Sequence, residues 1–409
     1  MAALILGLAS NRKSLRGVES LSAWMSSTVQ RMFGIRGRIS DTTLSEGLAH
    51  GCPHSLHRCL VRLNLAEQRR GNLCPHYGLP CSVVALDGKH QATLSYGDLL
   101  RIARRISTES NIEWTAQALR HLFGTHHPNV QIVEKDGRIH GLVRYHRVTL
   151  TSHPSHPCML LEPIPGDGNE VGQAPATLRA LFKAYRNTSL CDIITADAGN
   201  TSIAVVETIL AAGKRYLLAI KGNQPETEKE ADRIFATMGG PSFSSPTGKV
   251  RGRRVTHHLT VAEIPDGTPN FPSARAFLRV QRHVTKPDGE MVSNDYRTFI
   301  TNVVPTQMPM KTLLALVRSH WRCENNGHWT SDTILGEDKK RVRYARGPRR
   351  IAVVAICRMI AQNILGQLRV QSRQSGTAHI SWEDILFHVV RALTGAVRHR
   401  STKEIVVCP

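Results

Sequence analysis

The sequence lacks the features that would place it in a membrane or outside a cell. Its longest uninterrupted apolar runs are Ala2–Ala9 and Ile351–Cys357, far short of the roughly 20 residues a spanning helix needs. The opening MAALILGLAS has no basic residue ahead of its apolar stretch and no clear cleavage pattern, so a secretory signal is not expected. The nine cysteines are odd in number and follow no framework spacing, which excludes a disulfide scaffold and fits free thiols in a reducing compartment. There is no internal repeat and no low-complexity tract. Acid is scarce as well. Against 53 Lys and Arg stand 32 Asp and Glu, a net charge of +21. Such an excess repels itself without a polyanionic partner, nucleic acid first and an anionic membrane surface second.

What is present suffices for a folded protein. Hydrophobic residues make up 41% of 409, enough for a sizeable core in two or three domains. Residues 1–80 read as a small helical unit with ten Lys or Arg and four acids, either a DNA-binding module or a packing arm on the next domain. Residues 81–225 alternate strands and helices. Residues 226–308 change character, with three alternating runs, Arg253–Val261, Ala274–Val284 and Asp295–Val303, and a Lys286-Pro287-Asp288-Gly289 turn. They read as a β-rich insertion. Helical periodicity resumes over 309–373, and a helical tail follows over 374–409.

Two acids stand out by position. Ser82–Leu86 is an apolar, β-branched run of a buried strand and ends at Asp87; DIITADAGN is a second such strand and ends at Asp197. Open α/β sheets place ligands at such strand ends. Carboxylates brought together repel unless a cation lies between them, and oxygen ligands suit Mg2+ or Mn2+. Glu324, in RSHWRCENNGHW, is the third candidate. On spacing alone, Asp87 and Asp197 can equally begin turns, and Glu324 can lie on a solvated helix face.

In order along the chain, ALDGK, TADAGNT, YLLAIKGNQP and HWRCENNGHWTSDTILGED resemble the DDE transposases of bacterial insertion sequences, in particular the H-repeat-associated type. The resemblance runs over roughly 80–370, with a gap at about 91–140. It implies an α/β fold with an RNase H-like mixed sheet flanked by helices and the β-rich segment inserted before the last acid. It implies a metal-dependent enzyme that cleaves element ends and joins them to target DNA. Asp87, Asp197 and Glu324 would be the catalytic and metal-binding triad. Two Mg2+ or Mn2+ ions would share Asp87, with Asp197 and Glu324 holding one each. The partners would be double-stranded DNA, as element ends and target, and a second copy in a homodimer or higher oligomer. The place would be the bacterial cytoplasm, at the nucleoid, with no membrane.

Neighbours of the triad suggest contacts to DNA. Lys89 and Lys221 follow strands on the presumed active edge. Arg318, His320 and His328 flank Glu324, and the two histidines at i−4 and i+4 share its helix face. Trp321 and Trp329 read as core anchors, and Glu337 and Asp338 as structural. Residues 339–373 carry ten Lys or Arg and no acid, seven of them at Lys339, Lys340, Arg341, Arg343, Arg346, Arg349 and Arg350. These would neutralise phosphates.

Some residues depart from the family pattern. Ser331 stands where related transposases carry a Lys, Val317 where they carry a Tyr, and HQATLS replaces basic residues after ALDGK. A domesticated transposase that only binds DNA, and an RNase H-like nuclease or resolvase, therefore stay open as readings. Cys52, His54, His57, Cys59, Cys74, His76 and Cys81 offer zinc-type ligands, at wider spacings than structural zinc pairs use.

Overall fold

A computed structural model describes residues 1–107, 112–250, 252–264, 271–337, 347–374 and 380–395. The sheet comprises β1 (Val83–Leu94), β2 (Gln131–Lys135), β3 (Arg138–Leu150), β4 (Cys158–Ile164), β5 (Ile193–Ala196), β6 (Arg215–Ile220), β7 (Phe243–Ser244), β8 (Gly248–Val250), β9 (Arg253–Glu263), β10 (Ala276–Thr285) and β11 (Met291–Thr301). Five helices precede it, α1 (Ala2–Ala9), α2 (Leu15–Trp24), α3 (Ser27–Met32), α4 (Asp41–His50) and α5 (Pro53–Arg69). The others are α6 (Tyr96–Ile106), α7 (Ala116–His126), α8 (Glu170–Ala184), α9 (Ile203–Ala211), α10 (Pro225–Ala236), α11 (Met310–Ser319), α12 (Pro348–Gln374) and α13 (Trp382–Thr394).

The strand order is β2-β3-β1-β5-β6-β11-β10-β9-β7, with β4 paired to β3 and β8 to β9. The β1–β3 and β3–β4 ladders are antiparallel, whereas β1–β5 and β5–β6 are parallel. This is the RNase H-like mixed sheet implied by the sequence. The central strands are apolar without alternation because both faces are covered. Val84, Leu86, Ile194 and Leu218 pack under α8 and α9 through Leu178, Leu181, Val205 and Ile209. Val83, Ile193, Leu217 and Phe299 pack under α11 through Leu313, Leu316 and Val317.

Four differences from the sequence expectation have physical reasons. First, β1 does not stop at Asp87. Its parallel pairing with β5 ends at Leu86↔Ala196, but its antiparallel pairing with β3 continues from Asp87↔Arg147 to Leu94↔Gly141. Second, the β-rich segment does not stand apart. The hairpin strand β11 pairs with β6, Thr298↔Ile220 to Thr301↔Leu217, and so extends the central sheet. The turn itself is as expected, with Gly289 at φ 95° and the Lys286 N–H donating to the Glu290 carbonyl at 2.8 Å.

Third, the first 80 residues have no core of their own. Leu4, Leu8, Leu21, Leu48 and Leu60 join Val353, Ile356 and Leu365 of α12 and Ile385 of α13 in one apolar cluster. Fourth, α12 is much longer than its apolar run. Over Pro348–Arg373 it is long and apolar enough to cross a membrane by length and composition, yet 83% of its most apolar window is buried inside the protein. Its polar residues are bonded there. Arg358 donates to Glu337 Oε1 at 2.7 Å, Gln362 Oε1 accepts from Ser331 at 2.6 Å, and Asn363 Nδ2 donates to the Cys158 carbonyl at 2.8 Å. The tail forms a helix over Trp382–Thr394, started by a Ser381–Asp384 capping box.

Candidate catalytic site

The sheet register sets the site. Leu86 and Ala196 are the last partners of the parallel β1–β5 ladder, and each is followed at once by an acid. Asp87 and Asp197 therefore lie side by side where the parallel pairing of β1 and β5 ends, Asp87 still within β1 and Asp197 just past β5. Asp197 turns into a short 3₁₀ turn whose Asn200 fixes it, since Asp197 Oδ1 accepts from the Asn200 backbone at 3.1 Å and from Asn200 Nδ2 at 2.8 Å. Asn200 is held in turn by His146, whose Nε2 faces Asn200 Oδ1 at 3.2 Å while Nδ1 faces Thr177 Oγ1 at 2.9 Å. The KGNQP loop braces the same turn, with Asn223 Nδ2 donating to the Ala198 carbonyl at 2.5 Å and Gln224 Nε2 to the Thr201 carbonyl at 2.9 Å.

Glu324 arrives on a different element from the one expected. The helical periodicity expected from 309 onward is ordinary α-helix only to Ser319, and Cys323–His328 and Thr330–Ile334 wind as π-helix. Five-residue rather than four-residue hydrogen bonding widens the turn, so the i±4 argument for His320 and His328 does not hold as stated. His320 is buried, with Nδ1 at 3.2 Å from Thr195 Oγ1, and burial pushes its pKa down to about 4. It lies inside the protein, not at a phosphate. His328 does reach the site, with Nδ1 3.5 Å from Asp87 Oδ2. Burial, with Arg147 and Lys89 nearby, pushes it down to about 2, so a neutral imidazole faces the first acid.

The charge on Asp87 reports how the acids are grouped. Burial raises its pKa to about 7, helped by the negative charges of Asp197, Glu324 and Glu170. The Cys323 thiol, 3.8 Å from Asp87 Oδ2, is held well above its usual range by burial and then by Asp87 and Glu324. The donor set, oxygen-only and anionic with like charges crowding one buried carboxyl, fits a hard divalent cation. Among the described residues no group of three or more His, Cys, Asp or Glu is placed to hold a metal ion.

Other expected contacts fall in different places. Lys89 is not available to a phosphate. It is buried, with Nζ 2.6 Å from Asp332 Oδ1 and 2.7 Å from Glu337 Oε2. The antiparallel continuation of β1 carries it inward under the segment that bears Glu324. Lys221 is exposed beside the turn at Asp197, and Arg318 is exposed at the end of α11. Arg349 is exposed and lines a cavity of about 430 Å³ with His54, His57, His126 and His127. Arg350 Nη1 donates to Ser45 Oγ at 2.8 Å. Lys339, Lys340, Arg341, Arg343 and Arg346, and Asp338 with them, lie outside the described residues.

Trp321 packs edge-on to Phe299 at 5.7 Å, as a core anchor would, but Trp329 is 46% exposed. The Cys and His residues of the N-terminal region do not converge: His57 accepts from the Leu161 N–H at 3.1 Å and Cys74 donates to the Gly71 carbonyl at 3.1 Å.

Two residues of the site carry no sequence signal of the usual kind. Arg147 is fully buried on β3, opposite Asp87, and its Nη1 donates to the Gly327 carbonyl at 3.2 Å and to Ser331 Oγ at 2.8 Å. Only the register of two strands brings it there. Glu170, first residue of α8, approaches Gly88 from the helix side of the sheet. Its place was marked only by the turn-forming PGDGNE before a helix.

Comparison with known proteins gives the family. The Transposase DDE domain model matches residues 124–361, more than half of the chain. The chain belongs to this family. The match takes in Asp197 and Glu324 and begins after Asp87. Similar proteins include YbfL and the H repeat-associated protein YhhI of Escherichia coli (strain K12), each 26% identical over 190 residues, which are 42% of this chain and 47% of the relative. YncI of Escherichia coli O157:H7 is 27% identical over 188 residues, 43% of this chain and 45% of its own. The names of YhhI and YncI include the word transposase. The chain thus matches about half the length of these relatives. A solved piggyBac transposase synaptic complex with hairpin DNA covers 97% of this chain and 70% of its own at 12% identity, with a TM-score of 0.43.

Proposed function

We propose that this DDE-family protein is a metal-dependent DNA transposase that cuts DNA at insertion-sequence ends and joins the element to target DNA. One observation carries the reading: Asp87 and Asp197 follow register partners in the sheet, and Glu324 acts electrostatically on Asp87 from the π-helical segment. Asp87, Asp197 and Glu324 would hold two Mg2+ or Mn2+ ions. Bound there, such ions activate water and stabilise the leaving oxygen of an in-line displacement.

The chain's own residues prepare the rest. Asn200 leaves one oxygen of Asp197 committed and the other free to bind. Neutral His328 orients Asp87 without supplying a competing charge. Cleavage adds water across one phosphodiester and leaves a 3′-hydroxyl. Transfer uses that hydroxyl on a target phosphodiester, so each step breaks one P–O bond and forms another. No serine or tyrosine nucleophile is required.

Incubation with element ends and Mg2+ tests this. Asp87→Ala, Asp197→Ala and Glu324→Ala should each lower cleavage at least 100-fold, since each removes a group on which transition-state charge depends. Undiminished cleavage in all three variants overturns the triad. A DNA-binding role without chemistry is the second reading, favoured by the burial of Lys89 away from the surface. Strand transfer by the wild type excludes it.

A further inference from the structure

Away from the acids, α5, the end of α7, β3, β4 and the start of α12 enclose the cavity of about 430 Å³, the size of a small-molecule site. Its polarity is graded. The floor is buried and apolar, made by Val143, Leu161 and Ile356 with the ring of Tyr145. The rim carries Arg349, His54 and His126, all exposed. Both α5 and α12 begin at this rim with a proline as first residue, which brings the positive ends of two helices to it.

Two polar groups of the cavity lack a matching partner in the chain. Tyr145 is only 4% exposed, yet its hydroxyl makes no hydrogen bond among the described residues. Burial, and then the charge of Glu162, hold it above the usual phenol range, so it stays an O–H donor. Glu162 is half-buried and faces His57, whose Nδ1 lies 3.4 Å from Oε1. His57 accepts the Leu161 N–H at Nε2, so its proton is on Nδ1 and the ring is neutral; burial pushes its pKa down to about 4. Glu162 thus faces an uncharged ring, and burial raises its pKa. A buried donor without an acceptor and a carboxylate without a cation each cost stability until a ligand completes them.

The walls are fixed. The Gly166 N–H donates to the Pro128 carbonyl at 2.6 Å. A Cβ on Gly166 would lie 2.4 Å from the Val130 carbonyl oxygen, so glycine lets the turn after α7 close on the loop after β4. The His127 ring rests on Phe123, with centroids 5.6 Å apart.

We infer that this cavity binds a nucleoside phosphate, its base on the floor against Tyr145 and Glu162 and its phosphate at the rim against Arg349 and the two helix starts. Edge chemistry selects guanine. Its O6 accepts from a hydroxyl, while its ring N–H and amino group donate side by side to a carboxylate. Thymine offers a single N–H between two carbonyls and would set oxygen against Glu162. The guanine is that of a free nucleotide or an unpaired base of bound DNA, and the recognition is the same. Neither the metal nor the triad enters, so this site stands apart from the transposase reading.

Titration calorimetry of the full chain, free of metal and DNA, tests it with deoxyguanosine monophosphate, thymidine monophosphate and inorganic phosphate. The guanine nucleotide should bind at least about tenfold tighter than the other two, since a site built to hydrogen-bond rejects what leaves its polar groups unpaired. Tyr145→Phe removes an unpartnered hydroxyl, and Glu162→Gln removes an unmatched charge. Each should weaken the guanine nucleotide about tenfold with the melting temperature equal or higher. Arg349→Ala should weaken both nucleotides alike.

A duplex with one unpaired 3′ guanine, set against a blunt duplex, separates the two sources. Tighter binding of the first, relieved by the guanine nucleotide, assigns the base to DNA. Equal binding of both duplexes, with the nucleotide still bound, assigns the site to a free nucleotide. Absence of saturable binding of the guanine nucleotide overturns the inference. So does binding no tighter than phosphate, which leaves only an anion site, and so does wild-type affinity in both Tyr145→Phe and Glu162→Gln. None of these results touches the triad.

Discussion

Arg147 Nη1 donates to Ser331 Oγ across 2.8 Å, and both residues are fully buried. Ser331 is the position that the sequence resemblance matches to a Lys of related transposases, and a cation from β3 bonds it. Arg147 also bonds the Gly327 carbonyl. It therefore tethers the π-helical segment to the strand beside the one that carries Asp87. Two of its nitrogens, Nε and Nη2, have no partner among the described residues.

This arrangement predicts a coupled pair. Arg147→Gln should destabilise the fold by about 1–3 kcal/mol, the usual cost of leaving a buried polar group such as the Gly327 carbonyl without its donor. Ser331→Lys should be equally damaging, since it buries a second cation against the guanidinium. Combined, the two should cost less than their sum by about 0.5–3 kcal/mol. Denaturant midpoints of the four proteins measure this, and strict additivity would show that the two sites do not share one charge position.

Lys89 separates stability from DNA contact. With Nζ on both Asp332 and Glu337, and Glu337 also held by Arg358, Lys89→Met removes one of the two cations that hold the buried Glu337. Glu337 is held far below the ordinary carboxylate range by Arg358 and Lys89, which outweigh its burial. The substitution should cost about 3–5 kcal/mol while leaving the DNA affinity of the folded protein unchanged. Melting curves and filter binding below the melting temperature give the two readings. A selective loss of DNA affinity would place Lys89 at a phosphate after all.

The acids were legible because their surroundings are local. A short apolar run bounded by an acid can be read in the sequence, and Asp87 and Asp197, at the end of the parallel β1–β5 ladder, are such cases. The length of β1 was not legible, because its second half is held by only one neighbour and reads as polar. The same reason hid the inward turn of Lys89. Arg147 and Glu170 depend on strand register and on a loop between β4 and α8, relations that no spacing in the sequence expresses. The helix carrying Glu324 was placed correctly but given the wrong pitch, since π-winding has no strong sequence mark. The helical character of α12 was legible within the periodicity of 309–373, but its longest uninterrupted apolar run, Ile351–Cys357, stops where Arg358, Gln362 and Asn363 interrupt the 27-residue helix. Those three are buried with partners drawn from Glu337, Ser331, Gly327, Asn64 and Cys158.

Acid should unfold the protein through its histidines. Burial holds His57, His146, His153, His257 and His320 at about 4, His156 at about 3 and His328 at about 2. An unfolded histidine protonates near 6.5. Between about 6.5 and 4 the unfolded chain therefore binds more protons than the native one, and stability falls as pH falls. Asp87 has the opposite sign. Its folded pKa of about 7 lies above the unfolded value, so its contribution is present at low pH and lost as pH rises toward 7. Glu162 and Glu170, also raised by burial, share that sign, and these three carboxyls against the seven histidines still give a net loss in acid. Melting temperatures from pH 7 to 4 should drop steadily, and Asp87→Asn should steepen the drop slightly. A melting temperature flat across that range would mean these imidazoles are not buried neutral.

The basic segment should govern how binding depends on salt. In sequence, Lys339, Lys340, Arg341, Arg343 and Arg346 fall between the π-helical segment that carries Glu324 and α12, with Arg349 exposed at the start of α12. Each cation that neutralises a phosphate of duplex DNA releases condensed counterions and adds about 0.9 to the slope of log affinity against log salt. Neutralising Lys339, Lys340, Arg341 and Arg343 together should lower that slope by up to about 3.6 if all four touch phosphate. The loss should be uniform across sequences, since such contacts position DNA without reading it. Alanine at Lys221 or Arg318 should each lower the slope by about one, with little change in stability because both side chains are exposed. Affinities measured from 50 to 200 mM salt on element-end and unrelated duplexes decide the matter. A slope unchanged by the fourfold substitution would move the DNA off this segment. A loss confined to element-end DNA would instead show that the segment reads bases.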